Sequence, residues 1–179
     1  MIRVRYLDLD CVVLRNASLE LLITESVGPR IISLRLHGKD NVLAELPHLL
    51  ADVPGTDEPF SPYGGHRLWH APQSAARTHL PDNRPVAVLP IANGVTVTQE
   101  TEAQTGLQKS LHITLPDDSA TVMIEHKLTN NGLWPVKTAP WAITQLRDGG
   151  VGICPKTSKS MTVMAFGQTA PSPYGLTRA

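Results

Sequence analysis

The sequence predicts an all-β fold, an antiparallel β-sandwich, and three observations carry that prediction. Fifteen prolines and thirteen glycines cut the 179 residues into short pieces, which leaves little room for long helices. No apolar row with a 3.6-residue period lasts longer than about two turns. Between residues 86 and 128, by contrast, an apolar run over 86–91 is followed by segments over 95–100, 107–115 and 121–128 in which apolar and polar side chains alternate with the period of two that a half-buried strand requires.

The elements follow in chain order. Residues 19–24 and 31–36 read as two strands joined through Gly28-Pro29. Residues 41–51 place Leu43, Leu46, Leu49 and Leu50 at helical spacing, but Pro47 interrupts the row, so a short strand followed by a turn is expected. Residues 51–83, rich in Pro, Gly, His and Asp, read as a long loop, and loops of that length are usually functional. Residues 86–91 form the first arm of a hairpin. Asn93-Gly94 then offers two positive-φ positions for a type I′ turn, and Val95, Val97 and Gln99 alternate with Thr96, Thr98 and Glu100 in the second arm. Leu107, Lys109, Leu111, Ile113 and Leu115 share one face of the next strand. After Pro116-Asp117-Asp118-Ser119, Val122, Ile124, His126 and Leu128 share a face of the returning one. Asn130-Asn131-Gly132 turns the chain again into an extended piece over 136–146, and the tail over 157–179 reads as poorly ordered.

Length and composition describe one domain over residues 1–179, large enough to bury a core unaided. Sixteen basic and sixteen acidic residues balance to zero without runs, which argues against nucleic acid and anionic membrane surfaces as partners. The sequence holds no apolar stretch of membrane-span length, and its first ten residues alternate charged and apolar groups, so a cytoplasmic location is expected. Cys11 and Cys154 lie far apart without CxxC spacing and read as two ordinary thiols.

The densest chemistry is Tyr63-Gly64-Gly65-His66-Arg67-Leu68-Trp69-His70-Ala71-Pro72. Glycines allow a tight bend or close approach to a ligand, Arg67 supplies a fork of donors, and Trp69 a flat apolar face. A sugar needs such a combination, an apolar face to stack and hydroxyls to bond. His66 and His70 have HxxxH spacing, with His79 nearby, but no further ligand is evident, so no metal and no cofactor is expected. Glu100 and Glu102 with Lys109 are an acid/base candidate set whose plain alternative is solvation. Glu125 and His126 are neighbours on a strand and must point to opposite faces. Trp141, Thr144 and Gln145 lie on an extended piece that either faces a cavity or packs into the core.

The order of three segments resembles the galactose mutarotase-like, or aldose 1-epimerase, superfamily. They are Val27-Gly28-Pro29-Arg30-Ile31-Ile32, Gly64-Gly65-His66-Arg67-Leu68-Trp69, and Leu128-Thr129-Asn130-Asn131-Gly132 followed by Ala139-Pro140-Trp141. The resemblance covers residues 19–155 and implies a β-supersandwich that binds sugar in a groove on one sheet, with His66 and Arg67 as contacts. It also places the family's general-acid histidine at Ala139, and the sequence after Pro155 has no acidic residue to act as the family's general base. The chain is shorter than the superfamily usually runs. Either it is a compact member, or it is a fragment lacking its last strands, whose bare sheet edge invites a homo-oligomer.

The sequence thus leads to a carbohydrate-binding protein that takes a monosaccharide or sugar derivative, with His66, Arg67, Trp69, Trp141 and Gln145 as the ligand face. Two rivals stand beside it. One is a working aldose epimerase, an isomerase, with a relocated acid/base pair drawn from His66, His70, Glu100 and Glu125. The other is a structural or protein-interaction domain without a small ligand.

Overall fold

The structure, a computed structural model, describes residues 1–53, 56–155 and 161–165, with 75, 76, 154, 155 and 161–165 as backbone only. Its strands are antiparallel throughout. One sheet runs in the order β1 (Ile2–Tyr6), β2 (Leu9–Arg15), β3 (Leu19–Thr24), β4 (Arg30–Leu36), β7 (His66–Ala71) and β12 (Ala139–Thr144). A second runs β11 (Met123–Asn130), β10 (Leu107–Thr114), β9 (Gly94–Thr98) and β8 (Ala87–Ile91). Among the described residues there are also two small ribbons, β5 (Glu45–Leu46) with β6 (Tyr63–Gly64), and β13 (Val151–Pro155) with β14 (Met161–Ala165). A four-residue helical turn, α1 (Ala75–Thr78), follows β7.

The two large sheets bury one face each against the other. Val12, Leu21, Ile23, Ile31 and Leu68 from the six-stranded sheet meet Val97, Leu111 and Ile113 from the four-stranded one. Each such side chain contributes roughly 1.5–3 kcal/mol by leaving water. The six-stranded sheet also buries apolar side chains on its outer face, where Leu9, Cys11, Leu22 and Ile32 cluster with Val27 at one end and Trp69 clusters with Val53 and Phe60 at the other. Cys11 is a buried free thiol, pushed up to about 11 by burial and by the nearby carboxylates of Asp10 and Glu25. The side chain of Cys154 lies outside the described residues, as does most of the tail over 157–179. No helix among the described residues is long and apolar enough to cross a membrane.

Two turns differ from the sequence reading. At residues 92–93 only Asn93 has a positive φ (52°), and Gly94 already pairs with Ile91. Glycine is required there by close packing, because a Cβ would sit 2.1 Å from the Ile113 carbonyl oxygen. Successive positive-φ residues instead join β1 to β2, at Leu7 (φ 48°) and Asp8 (φ 62°). That hairpin lacks the Asn-Gly signal, and the sequence reading assigned neither of its strands although Ile2-Arg3-Val4-Arg5-Tyr6 alternates apolar and charged side chains.

The larger correction concerns residues 51–83. They are not one long loop: β6 and β7 run through them, and β7 pairs with β4 on one side and β12 on the other. Its burial is nearly continuous from His66 to His70, so it shows no alternation to read.

Candidate functional site

Successive residues of β7 point to opposite faces of its sheet, and this divides the sequence-predicted site in two. His66, Leu68 and His70 turn toward the four-stranded sheet, whereas Arg67 and Trp69 turn outward. His66 is therefore not part of a ligand face with Arg67 and Trp69, which corrects the expectation.

On the outer face, the register with β12 sets Trp141 opposite Trp69 and Ile143 opposite Arg67. The two indoles meet edge-on with centroids 5.6 Å apart, and the His79 ring lies 4.5 Å from Trp69 on another side. The Arg67 guanidinium lies over the rings of Trp69, at 4.6 Å, and Phe60, at 5.2 Å. Its Nη1 donates to the Pro62 carbonyl at 3.0 Å and to Gln145 Oε1 at 2.9 Å. Gln145 is held there by backbone: its N–H donates to Gly65 O, and its carbonyl accepts from Ala44. Burial, reinforced by the positive charge of Arg30, lowers Arg67 to about 10, with Asp82 opposing, so it still carries its charge near neutral pH. Burial and Arg67 also lower His79.

Arg67 and Trp69 are only 4% and 8% exposed, so they do not stand open in a hollow as the sequence reading required. The partly exposed groups of this face include Trp141, Ile143, His79 and Gln145. Gly64-Gly65 has a corresponding correction. A Cβ at Gly64 would lie 1.9 Å from Ala44 O, and one at Gly65 2.1 Å from Ile31 O, so the close approach is to neighbouring backbone and not to a ligand. With φ of 89° and 72°, both positions also favour glycine conformationally.

The inner face carries a different chemistry. His66 Nε2 lies 2.8 Å from His126 Nε2 on β11, and its Nδ1 lies 2.8 Å from Thr144 Oγ1. Two imidazole nitrogens at that distance share one proton. Burial first, then His126 and Arg67, lower His66 to about 4. His70 is 1% exposed with neither ring nitrogen hydrogen-bonded, and burial followed by the Lys109 charge lowers it, Glu102 opposing. On a strand His66 and His70 stand roughly 13 Å apart, so the HxxxH spacing cannot close on one metal ion.

Of the acidic candidates, Glu100 is exposed, and Glu125 pairs with His112 on the solvent side of the four-stranded sheet. Neither meets His66 or His70. Glu102 does join Lys109, in a buried ion pair that also receives Gln99 Nε2 at 3.2 Å and Thr105 Oγ1 at 2.6 Å. The sequence reading gave Arg30 no role of its own. Fully buried, it bonds the Pro62 and Gly64 carbonyls and, at 2.7 Å, Asp82 Oδ2, so it fixes the chain on both sides of β6. An arginine after Gly-Pro at a strand start carries no local signal of that role.

Comparison with protein-family models, with curated proteins and with solved structures finds no match.

Proposed function

We propose that the chain is a carbohydrate-binding domain of mutarotase-like supersandwich type, with its monosaccharide site over β7 and β12 on the outer face of the six-stranded sheet. One observation carries the reading: Arg67, Trp69, Trp141 and Gln145, distant in sequence, share this face, joined by the 2.9 Å Arg67–Gln145 bond and the Trp69–Trp141 edge contact. Trp141 supplies the accessible apolar surface for a sugar's C–H face. Gln145 spends its oxygen on Arg67, which leaves its amide Nε2 to donate to a hydroxyl. The buried guanidinium behind them favours an acidic sugar such as a uronic acid.

Binding is preferred over epimerisation because the acid/base candidates do not assemble. His66 and His70 lie inside the sandwich, Glu100 and Glu125 on its surface, and Ala139 opens β12 where the resemblance calls for a proton donor. Removing a positioned acid or base typically costs a factor of roughly 10² to 10⁴. Titration calorimetry with aldoses and uronic acids tests the proposal: saturable heat is expected, lost in Trp141→Ala while the circular dichroism spectrum is unchanged. No heat from any sugar, or full binding by Trp141→Ala, overturns it. Faster decay of optical rotation in fresh α-glucose or α-galactose would move the reading to the epimerase. The interaction-domain reading has one observation in its favour, the strongly exposed Leu133 and Trp134.

A further inference from the structure

Away from that face, the two large sheets end in the edge strands β1, β12, β11 and β8, each of which leaves a row of backbone N–H and C=O groups for a further strand. Three of them carry features that oppose pairing with a copy of themselves. β8 contains Pro90 and β12 contains Pro140, and a proline breaks the row of donors. β1 sets Arg3 and Arg5 on one face, so an antiparallel self-pair centred on Val4 brings like charges together.

Strand β11 differs in both backbone and charge. Past its end, Asn131 N–H donates to Gly106 O at 2.8 Å, in the register of the β10 ladder. Ladder bonds fall on alternate residues, so odd-numbered positions of β11 bond β10, while Ile124, His126 and Leu128 turn their N–H and C=O groups to the free edge. The side chains of these three lie on the inner face of the sheet. Glu125 and Lys127 share the solvent face, where both are exposed and neither has an ion pair among the described residues.

We propose that β11 pairs antiparallel with β11 of a second copy of this chain, about a two-fold axis at His126. The two His126 residues then exchange backbone hydrogen bonds, and Ile124 does so with Leu128 of the other copy, apolar against apolar on the inner face. On the solvent face Glu125 meets Lys127 of the other copy, twice, at the non-hydrogen-bonded positions where cross-strand side chains come closest. The charges select this register. Centred instead on Glu125 or Lys127, the pair sets like charges face to face; centred on Ile124 or Leu128, it sets Glu125 against Met123 or Asn131. A self-complementary contact of this kind closes as a dimer and joins two four-stranded sheets into one of eight.

Sedimentation equilibrium of the full chain, from micromolar to millimolar concentration, tests the proposal. A reversible monomer–dimer equilibrium is expected. Glu125→Lys and Lys127→Glu each place like charges opposite one another and weaken it at least tenfold. The double variant Glu125→Lys/Lys127→Glu restores it, and an equimolar mixture of the two single variants forms a heterodimer. Both side chains are exposed in a single copy, so the circular dichroism spectrum at micromolar concentration is unchanged in every variant. A monomer at all concentrations would leave this edge to another occupant and overturns the proposal, as does a dimer indifferent to the single reversals or a charge swap that stays monomeric. The sugar site lies on the other sheet, so Trp141→Ala leaves dimerisation unchanged and either reading can fail without the other.

Discussion

Strands β7, of six residues, and β10, of eight, lie in facing sheets, yet they bury their side chains in different ways. Along β10, Leu107, Lys109, Leu111 and Ile113 are buried while Gln108, Ser110, His112 and Thr114 are not, because one face of the four-stranded sheet meets water. Along β7 five consecutive residues are buried, because the other sheet covers one face and Val53 and Phe60 cover the other. Alternation therefore reports half-burial, not strand conformation. Two polar groups on β7 meet partners on opposite faces, Thr144 and His126 for His66, Pro62 and Gln145 for Arg67, whereas His70 is buried with neither ring nitrogen hydrogen-bonded.

The difference can be broken most directly by truncating side chains on both faces of both strands. On β7, Trp69→Ala is expected to cost about 3–5 kcal/mol and Leu68→Ala about 2–5 kcal/mol, since neither face has water to fill the gap. On β10, Leu111→Ala belongs to the same range, whereas Ser110→Ala stays within about 0.5 kcal/mol. Urea unfolding midpoints at pH 7 measure all four. A Trp69→Ala variant as mild as Ser110→Ala would mean that the outer face of β7 is not covered.

The same contrast explains what was legible in the sequence. In β9, β10 and β11 the period of two shows, and β8 is found as the apolar run before Asn93-Gly94, so these four strands and their order can be read from residues 86–128. β3 and β4 are found from composition and the Gly-Pro between them. β7 hides because its row of buried His, Arg, Leu, Trp and His matches no amphipathic template, and its glycines suggest a loop. The candidate site suffered from that misreading. Arg67, Trp69, Trp141 and Gln145 were chosen by residue type and do share a face, but His66 was assigned to it as though a loop could turn all its side chains one way. The His66–His126 contact joins residues 60 apart in sequence, and only the packing of two sheets creates it.

That contact sharpens the comparison through pH. Burial holds His66 neutral down to about 4, against 6.5 for an ordinary imidazole. As pH falls the unfolded chain takes the proton first, so the contribution of this group is complete above about pH 6.5 and is lost on the way to pH 4. The loss is on the order of 3 kcal/mol. Unfolding midpoints at pH 7 and pH 5 are expected to differ in the wild type and to differ less in His66→Gln. An equal pH response in the two proteins would place the acid sensitivity elsewhere in the molecule.

Glu125 is the quiet end of the comparison. It lies on β11 beside His126, but the pleat turns it to the opposite side, where it is exposed and pairs in register with His112. A carboxylate there has water to solvate it and no ion pair among the described residues to lose. Glu125→Gln should therefore shift the unfolding free energy by no more than about 0.5 kcal/mol. It should also leave sugar binding and optical-rotation decay unchanged, because a whole sheet separates it from His66. If this variant alone lowered an epimerase activity, the active centre would have to lie on the solvent side of the four-stranded sheet, and the outer face of β7 would lose its claim to the substrate.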